Sequence, residues 1–525
     1  MGQTVSGSAP SLPGTSPTGG DGRTLLQKLG LPIALFILVV IVALPTPEGL
    51  PVAGQRMLAL LLFSVVLWMT EGVSYPVSAA VILSLITLLI GTSPIVTDPT
   101  KIYGMGAGLR MGLGGLANTA WALVAAALFL SVAMQITGLD RRISLKILSV
   151  VGAKTRNILA GVIFVGFALS FFVPSTTARV ACIVPIIMGI ITAFGVNKRS
   201  RFAGILMIAC AQADSIWNVG IKTAAAQNMI AVNFIKSTLG VEISWLDWFI
   251  AAAPFAACMS VALFFILLKV MPPEVEELEG GQEIIKKELA ALGPMKPAEI
   301  KLMTTSIVLL TFWVLEGKTF GSFGLSGAWA ATRIHPFDTA SITVLAVTIL
   351  LTPGIGVLTW AQAQARINWG TIILFGIGIS LGSAIIATRA GTWLAHYIVE
   401  IFGLAASTPF VIIAVMALFL MCIHLGFASA TALAAALIPI IIAVLQEVST
   451  AKGGGLHIVG MTMILQYVVS FGFILPVNAP QNMIAYGTDT FSVKDFIRTG
   501  IPLAIAAYLL ILLLSATYWK FLGYV

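Results

Sequence analysis

Two short runs of hydroxyl-bearing residues interrupt segments that are otherwise strongly apolar. The first is Ser175-Thr176-Thr177, directly after a proline, and the second is Ser429 and Thr431 on either side of an alanine. Serine and threonine hydroxyls donate hydrogen bonds without adding charge, and the free N–H groups at a helix start attract anions. Unwound backbone at membrane depth is tolerated where it is buried in protein or lines a cavity. Two such turns facing each other predict a site for the two ends of a dicarboxylate, although hydroxyls also serve as simple helix contacts in membranes.

The two turns belong to an internal repeat. Ser429 and Ser175 are 254 positions apart (429 − 175), and Gln-Asn-Met-Ile-Ala at 227–231 recurs at 481–485 with the same separation. Two motifs at one offset without an intervening gap indicate a duplication. Asn228 and Asn482 follow stretches that are typical of broken helices, and we expect each to cap the resumed half-helix. A proline or glycine kink satisfied by neighbouring groups is the alternative.

Exposed carbonyls in such broken helices are typical ligands for a transported sodium ion. The sequence predicts no resident metal site. If transport is coupled to sodium, the loops near Ser175, Gly220, Asn228, Thr431 and Asn478 are the expected ligands.

Four ionisable residues lie inside apolar segments, where a charge costs about 2.5–3.5 kcal/mol and marks a candidate site. Arg179 follows the first turn and is expected to bind a substrate carboxylate, and His424, ahead of the second turn, is expected to do the same when protonated. For His424 a hydrogen bond to a backbone carbonyl is the alternative. Lys222 is expected either to bind substrate or to pair with Asp214 and have no contact with substrate.

The elements that must position these residues are membrane helices. The 525-residue chain is 58% hydrophobic and 10% charged, far below the charged content of about 25% in soluble domains. The spacing of apolar runs predicts an all-α polytopic membrane protein with two inverted repeats and about 11 transmembrane helices. Two re-entrant helical hairpins and broken helices at the midplane complete this predicted fold. The formal charge of +8 is assigned to loops that set topology and not to nucleic-acid binding.

The predicted domain boundaries follow composition and loop charge. The basic loops around the first hairpin place both of its ends, and the N-terminus, on the cytoplasmic side. The predicted segments are a disordered cytoplasmic tail at 1–28, a first transmembrane helix at 29–50, repeat 1 at 51–270 with a hairpin at about 157–195, a charged, solvated cytoplasmic linker at 271–300, and repeat 2 at 301–525 with a hairpin at about 407–447.

The sequence lacks the motifs of metal-binding, disulfide-linked, nucleotide-binding and catalytic proteins. The four cysteines are far apart with no C-x-x-C pair, which argues against a zinc site or a disulfide framework. Gly104-Met105-Gly106-Ala107-Gly108 has no surrounding βαβ unit, so it does not indicate nucleotide binding. With no catalytic constellation, the sequence predicts neither an enzyme nor a cofactor, and a membrane-embedded enzyme or receptor is the weakest hypothesis.

Beyond residue 30 the chain resembles the divalent anion:sodium symporter (DASS) family. In that family each hairpin tip carries Ser-Asn-Thr, and the resemblance implies a homodimer in lipid with an elevator-like transport domain. Here Thr176 and Ala430 replace the central Asn, which helps form the sodium sites of symporters. Arg179 and His424 resemble the exchanger branch, in which basic residues take over the role of sodium.

The resemblance therefore implies a secondary transporter of small di- or tricarboxylates, such as malate, succinate, 2-oxoglutarate or citrate, that works as an exchanger. A Na⁺- or H⁺-coupled symporter of a dicarboxylate or another divalent oxyanion is the alternative. The expected location is the inner membrane of a bacterium.

Overall fold

The computed structural model describes residues 24–193, 195–277, 281–319, 322 and 330–525. Within these ranges the chain is almost entirely helical, and the strands β1 (Pro94–Ile95) and β2 (Asp98–Ile102) form one small antiparallel hairpin. The predicted tail at 1–28 lies outside the described residues as far as residue 23.

The first half contains eleven helices in the described ranges. α9 is interrupted after residue 220 and the chain resumes as α10, as the sequence predicts. The helices are α1 (Leu25–Ala43), α2 (Val52–Thr70), α3 (Tyr75–Gly91), α4 (Met105–Leu113), α5 (Thr119–Thr137), α6 (Leu139–Leu148), α7 (Thr155–Ser170), α8 (Thr176–Ala193), α9 (Arg201–Gly220), α10 (Ala226–Phe234) and α11 (Trp245–Val270).

The second half repeats the order of paired and broken helices. α18 and α19 correspond to α7 and α8, and α20 and α21 correspond to α9 and α10. The helices are α12 (Gly281–Ala291), α13 (Pro297–Leu315), α14 (Thr339–Leu351), α15 (Trp360–Arg366), α16 (Trp369–Ala387), α17 (Ala390–Ile401), α18 (Pro409–His424), α19 (Ala430–Ala451), α20 (Ile458–Val469), α21 (Pro480–Tyr486), α22 (Val493–Ala516) and α23 (Tyr518–Phe521).

Nine helices of the described ranges are long and apolar enough to cross a membrane, and six shorter apolar helices accompany them. The most apolar window of α9 is wholly buried, whereas only 17% of the corresponding window of α1 is buried. A protein with a buried central helix and outer helices that expose apolar side chains is stable only when lipid covers the outside. The predicted all-α polytopic membrane fold is confirmed.

Helices α7, α8 and α11 pack around α9, so the first interrupted pair and the first broken helix share one core. α19 packs against α10 and α20 in the same way. The first break is the stretch at 221–225 between α9 and α10, and the second break is the stretch at 470–479 between α20 and α21. This packing brings the turn between α7 and α8, and the turn between α18 and α19, against the two breaks.

The charged linker is less free than the sequence suggests. It contains helix α12, and residues 274–276 are bonded to the first half. The Glu274 carboxylate accepts the N–H groups of Arg201 at 2.8 Å and Phe202 at 3.1 Å, and the Thr155 N–H donates to Glu276 O at 2.9 Å. This stretch caps α9 and bonds the start of α7, while the side chains of Glu274 and Glu276 are exposed. A solvated linker stays a prediction.

Helix α6 ends at Leu148, before Gly152 at φ +88°. On α6, Arg142 binds both carboxylate oxygens of Glu299 at 2.8 and 3.1 Å. The β1–β2 hairpin and α17 were not anticipated.

Candidate functional site

The two polar turns each end in a serine that caps the following helix. In the first turn, residues 171–175, the Ser175 hydroxyl accepts the Ala178 N–H at 3.4 Å. In the second turn, residues 425–429, the Ser429 hydroxyl accepts the Ala432 N–H at 3.3 Å. These are equivalent positions of the repeat, so the same N-cap starts both α8 and α19.

One threonine in each turn region keeps its hydroxyl free. Thr177 and Thr431 are repeat equivalents in the first turn of α8 and α19, and both are half-buried. A helical threonine usually donates to the carbonyl four residues earlier, but that carbonyl here belongs to non-helical chain. Within the described ranges neither hydroxyl has a hydrogen-bond partner, so both remain available to a ligand. Thr176 differs, because it donates to Asn218 Oδ1 at 2.8 Å and positions the turn.

The guanidinium of Arg179 is fully hydrogen-bonded by protein groups. Its Nε donates to Asp214 Oδ1 at 2.7 Å, and its Nη2 donates to Asp214 O at 3.2 Å and Asn218 Oδ1 at 2.7 Å. Its Nη1 donates to Val173 O at 2.7 Å and Ala224 O at 3.2 Å. All five N–H groups are used and the side chain is 0% exposed. The guanidinium therefore fastens the first turn to the first break, and a contact between Arg179 and substrate stays a prediction.

The alternative pairing of Lys222 with Asp214 is wrong, because the Lys222 ammonium pairs with Glu316. Lys222 instead donates to Ile243 O at 2.7 Å and Thr339 Oγ1 at 3.3 Å, and lies 3.4 Å from Glu316 Oε2. It therefore ties the first break to the ends of α13 and α14 and does not face the two turns.

His424 is the last residue of α18 and is 1% exposed. Neither ring nitrogen has a hydrogen-bond partner among the described residues, and no carboxylate there lies within 4.0 Å. The expected alternative of a ring bond to a backbone carbonyl is therefore not formed. The imidazole remains a buried polar group beside the second turn that can bond an added ligand.

The two asparagines of the repeat do not cap the resumed helices. The N-cap positions of α10 and α21 are Ala225 and Ala479. The side-chain amides point backwards: Asn228 Nδ2 donates to Asn218 O at 2.6 Å and Ile221 O at 3.2 Å, and Asn482 Nδ2 donates to Gly472 O at 2.8 Å. The expectation was wrong because an N-cap must accept a bond, whereas these amides donate to carbonyls that the break leaves open.

Asn482 also lies 3.5 Å from Leu475 O, the equivalent of Ile221 O. The backbone of each break is therefore held in the same way in both halves. Gly220 ends α9 at the first break, and an added Cβ there would meet the Trp217 ring at 2.7 Å.

Asn478 fastens the second turn, a role that the sequence did not reveal. Its Nδ2 donates to His424 O at 3.0 Å, Leu425 O at 3.2 Å and Phe427 O at 3.2 Å. Phe427 is the repeat equivalent of Val173, whose carbonyl Arg179 binds. One turn is thus fastened by a charged guanidinium and the other by a neutral amide.

Two glutamine pairs join the halves across the breaks. Gln227 Nε2 donates to Ser470 Oγ at 3.2 Å, and its equivalent Gln481 donates to Ser215 Oγ at 3.0 Å. The second pair is Gln212 and Gln466. The signal in the sequence was the shared offset of 254, which covers Gln212 and Gln466 as well.

Several acceptor oxygens near the breaks are buried without a donor among the described residues: Gln212 Oε1, Gln466 Oε1, Asn482 Oδ1 and Asp214 Oδ2. Oxygen ligands of this kind suit a hard cation. No cluster of three or more His, Cys, Asp or Glu side chains that could hold a metal occurs in the described part of the chain.

Charge breaks the symmetry of the site. The second-half positions equivalent to Arg179, Asp214 and Lys222 are Leu433, Val468 and Pro476. The shape of the two turns is therefore repeated, while the buried ions are not.

Named relatives match most of the chain. A protein from Cupriavidus necator described as "Membrane protein" is 53% identical over 496 residues, covering 94% of this chain and 93% of that protein. The sodium-dependent dicarboxylate transporter SdcS of Staphylococcus saprophyticus is 26% identical, covering 90% and 88%. The crystal structure of the Alcanivorax borkumensis YdaH transporter aligns with a TM-score of 0.53 at 16% identity, covering 84% of this chain and 97% of that one, which supports the fold alone.

A family model described as the sodium:sulfate symporter transmembrane region matches residues 26–525, nearly the whole chain. The members of this family are transporters and not enzymes, in agreement with the sequence prediction. The chain is therefore a multi-pass membrane protein that belongs to this family, the divalent anion:sodium symporters.

Proposed function

We propose that the chain is a secondary transporter that carries small dicarboxylates across a bacterial inner membrane together with cations. The observation that carries this proposal is the pair of equivalent turns, each with an unpartnered threonine hydroxyl, Thr177 or Thr431, at the start of a helix. Two donor groups of this kind suit an anion with a carboxylate at each end. The staphylococcal relative that is named a sodium-dependent dicarboxylate transporter supports the same substrate class.

The charges of the site favour cation coupling over exchange. A dianion in a low-dielectric site needs about two compensating positive charges. Arg179 is neutralised by Asp214 at 2.7 Å, and Lys222 lies 3.4 Å from Glu316. Because these cations are already paired, the compensating charge is expected to travel with the anion. The donor-free oxygens of Gln212, Gln466 and Asn482 are the side-chain groups best suited to a co-transported Na⁺.

Anion exchange is the second candidate, and it was the first expectation from the sequence. One observation favours it: both ring nitrogens of His424 lack a partner in the described part of the chain and can bond an anion directly. In an exchanger His424 would supply part of the charge that sodium supplies in a symporter.

Uptake into proteoliposomes distinguishes the two. We expect labelled succinate to enter vesicles without internal dicarboxylate when Na⁺ is higher outside, and to stay outside when K⁺ replaces Na⁺. Entry that needs internal dicarboxylate and ignores Na⁺ would establish exchange. Failure of succinate, malate, 2-oxoglutarate, citrate and sulfate to enter under either condition would reject the proposed function.

The same vesicles test the site. Thr177→Val and Thr431→Val each remove one free hydroxyl at nearly constant volume, so each should raise the KM for succinate by roughly tenfold, the value of a hydrogen bond to a charged group. Thr305→Val is the matched control, because Thr305 is half-buried on α13 and donates only to the Lys301 carbonyl. An unchanged KM in both turn variants would exclude the turns from the site.

The arrangement in the membrane is part of the proposal. Arg141, Arg142, Lys146 and Arg156 lie before or at the start of α7, and Lys198, Arg199 and Arg201 follow α8, so both ends of the first hairpin are placed in the cytoplasm with the N-terminus. With five crossings in each half, the second hairpin then enters from the outside. A homodimer with elevator-like movement remains the expectation that the family resemblance gave.

A further inference from the structure

Helix α11 contacts the polypeptide at both breaks. Near its start, Trp248 Nε1 donates to Val219 O at 2.9 Å, in the last turn of α9 before the first break. Further along α11, the Phe255 ring stacks on the Phe471 ring of the second break, with ring centres 5.5 Å apart. The course of α11 between Trp248 and Phe255 therefore determines how these two contacts lie relative to each other.

Pro254 lies in this stretch and leaves one helix bond unmade. Because proline has no backbone N–H, the Ile250 carbonyl four residues earlier lacks its usual donor. An open carbonyl is costly on a helix that crosses a membrane, since lipid offers no hydrogen bond in return. The Tyr518 hydroxyl of α23 takes the place of the missing donor, at 2.8 Å from Ile250 O.

Trp519, the next residue of α23, holds the same turn of α11 from the buried side. Its Nε1 donates to Ala251 O at 2.8 Å, and its ring packs on Tyr467 with ring centres 5.7 Å apart. Tyr467 lies in the last turn of α20, before the second break, and meets the Trp248 ring edge to face at 5.4 Å. All three rings are 0% exposed, so a close-packed cluster joins α23 to both α11 and α20.

Resting on the function proposed above, we propose that Tyr518 and Trp519 are positioning residues for transport, which hold the proline turn of α11 and thereby fix the relative position of the two breaks. The second half has no equivalent of this turn, because Tyr508 stands at the position that corresponds to Pro254. The α11 helix therefore depends on α23 for a bond that its own backbone cannot make.

Tyr518→Phe tests this role when it is made in two backgrounds. In the wild-type chain it leaves Ile250 O without its donor, so the KM for succinate uptake should rise by roughly three- to tenfold, the value of one hydrogen bond. In a Pro254→Ala chain the new N–H of residue 254 bonds Ile250 O, so adding Tyr518→Phe should leave the KM nearly unchanged. A smaller folded fraction lowers Vmax and not the KM. An unchanged KM in Tyr518→Phe, or an equal rise in both backgrounds, overturns the proposal.

Tyr508→Phe is the matched control and should leave the KM unchanged. Its hydroxyl also donates to a helix carbonyl, Ala414 O at 3.1 Å, but Leu418 of α18 has the N–H that this carbonyl needs. A rise in KM in Tyr508→Phe equal to that in Tyr518→Phe would overturn the role of the proline.

A second cycle covers the case in which Pro254→Ala does not fold. Trp248→Phe removes the donor to Val219 O, and because Trp248 lies on the same path to the first break, Tyr518→Phe should add little to the KM of this variant. Fully additive rises in KM overturn the proposal.

Failure of the proposed function has a different signature. If the wild-type protein takes up no member of the anion panel, the proposed function fails, and thermal unfolding of the purified protein tests the contact by itself. Tyr518→Phe should then lower the unfolding temperature of the wild-type chain and not that of Pro254→Ala. An equal loss in both chains overturns the link through the proline.

Discussion

Arg179 and Asp214 show how a buried charge can serve position instead of binding. The pair is separated by 2.7 Å, and both side chains are 0% exposed. Taking two ions out of water costs several kcal/mol each, and the cost is recovered only when their remaining hydrogen bonds are made. Arg179 meets this condition with five bonds, which span the first turn and the first break.

We expect Arg179→Ala to abolish uptake and to destabilise the protein by roughly 3–5 kcal/mol, because Asp214 is left as a buried, unpaired carboxylate. Asp214→Asn in the same chain should restore a large part of that stability, since the carboxamide is neutral. Thermal unfolding in detergent measures both effects. Arg199→Ala is the control: Arg199 also pairs with an aspartate, but its side chain is 56% exposed, and such pairs contribute about 0–1 kcal/mol. Wild-type unfolding of Arg179→Ala would contradict the positioning role.

Each polar turn packs against one of the two breaks, and helix α22 packs against the second break. Gly500 of α22 lies so close to this break that an added Cβ would be 2.1 Å from Phe473 O and 3.0 Å from Ile474 Cα. Both neighbours are backbone atoms, so they cannot move aside without displacing residues 470–479. The missing side chain at Gly500 therefore sets how near the helix and the break can come.

Gly500→Ala should displace the second break and reduce uptake by at least tenfold, while the protein still inserts in the membrane. Gly189→Ala is the matched control, because an added Cβ at Gly189 in α8 meets nothing within 4 Å. Alanine is the better helix former there, so that variant should be neutral or more stable by about 0.5–1 kcal/mol. Normal uptake by Gly500→Ala would show that the break tolerates movement.

The sequence predicted these elements because the duplication left identical residues at one offset. The interruptions before Ser175 and Ser429, and the breaks before Asn228 and Asn482, all follow from that match. The hydrogen-bond partners of the buried polar side chains did not follow from the repeat. Arg179 and Asp214 are 35 positions apart on different helices, and Asn478 reaches carbonyls 51–54 positions earlier, so packing alone determines these contacts. The sequence also did not show that the Asn228 side chain donates hydrogen bonds, because an asparagine at this position could equally accept them as an N-cap.

Across the whole molecule, the linker joins the halves while remaining bonded to the first. The pKa of Glu274 is lowered: burial raises it, but the N–H groups of Arg201 and Phe202, and the Arg201 guanidinium, lower it more. Its carboxylate therefore stabilises the folded protein above the unfolded-state value of about 4.3, and this contribution is lost as the pH falls through the lower folded-state pKa.

Glu274→Gln should consequently unfold at a lower temperature than wild type near neutral pH. The difference between the two should shrink as the pH falls through the folded-state pKa. Glu283→Gln, an exposed position on α12, is the control and should follow the wild-type curve. A difference from wild type that stays constant across the acid range would show that the Glu274 carboxylate does not stabilise α9.

The unequal distribution of buried ions has a consequence for the transport cycle. In a carrier built from inverted repeats, two identical halves that exchange conformations would give inward-facing and outward-facing states of equal free energy. Here Leu433, Val468 and Pro476 stand where the first half has Arg179, Asp214 and Lys222. If this chain works in that way, its two end states differ in free energy, and we expect the empty carrier to rest facing one side of the membrane.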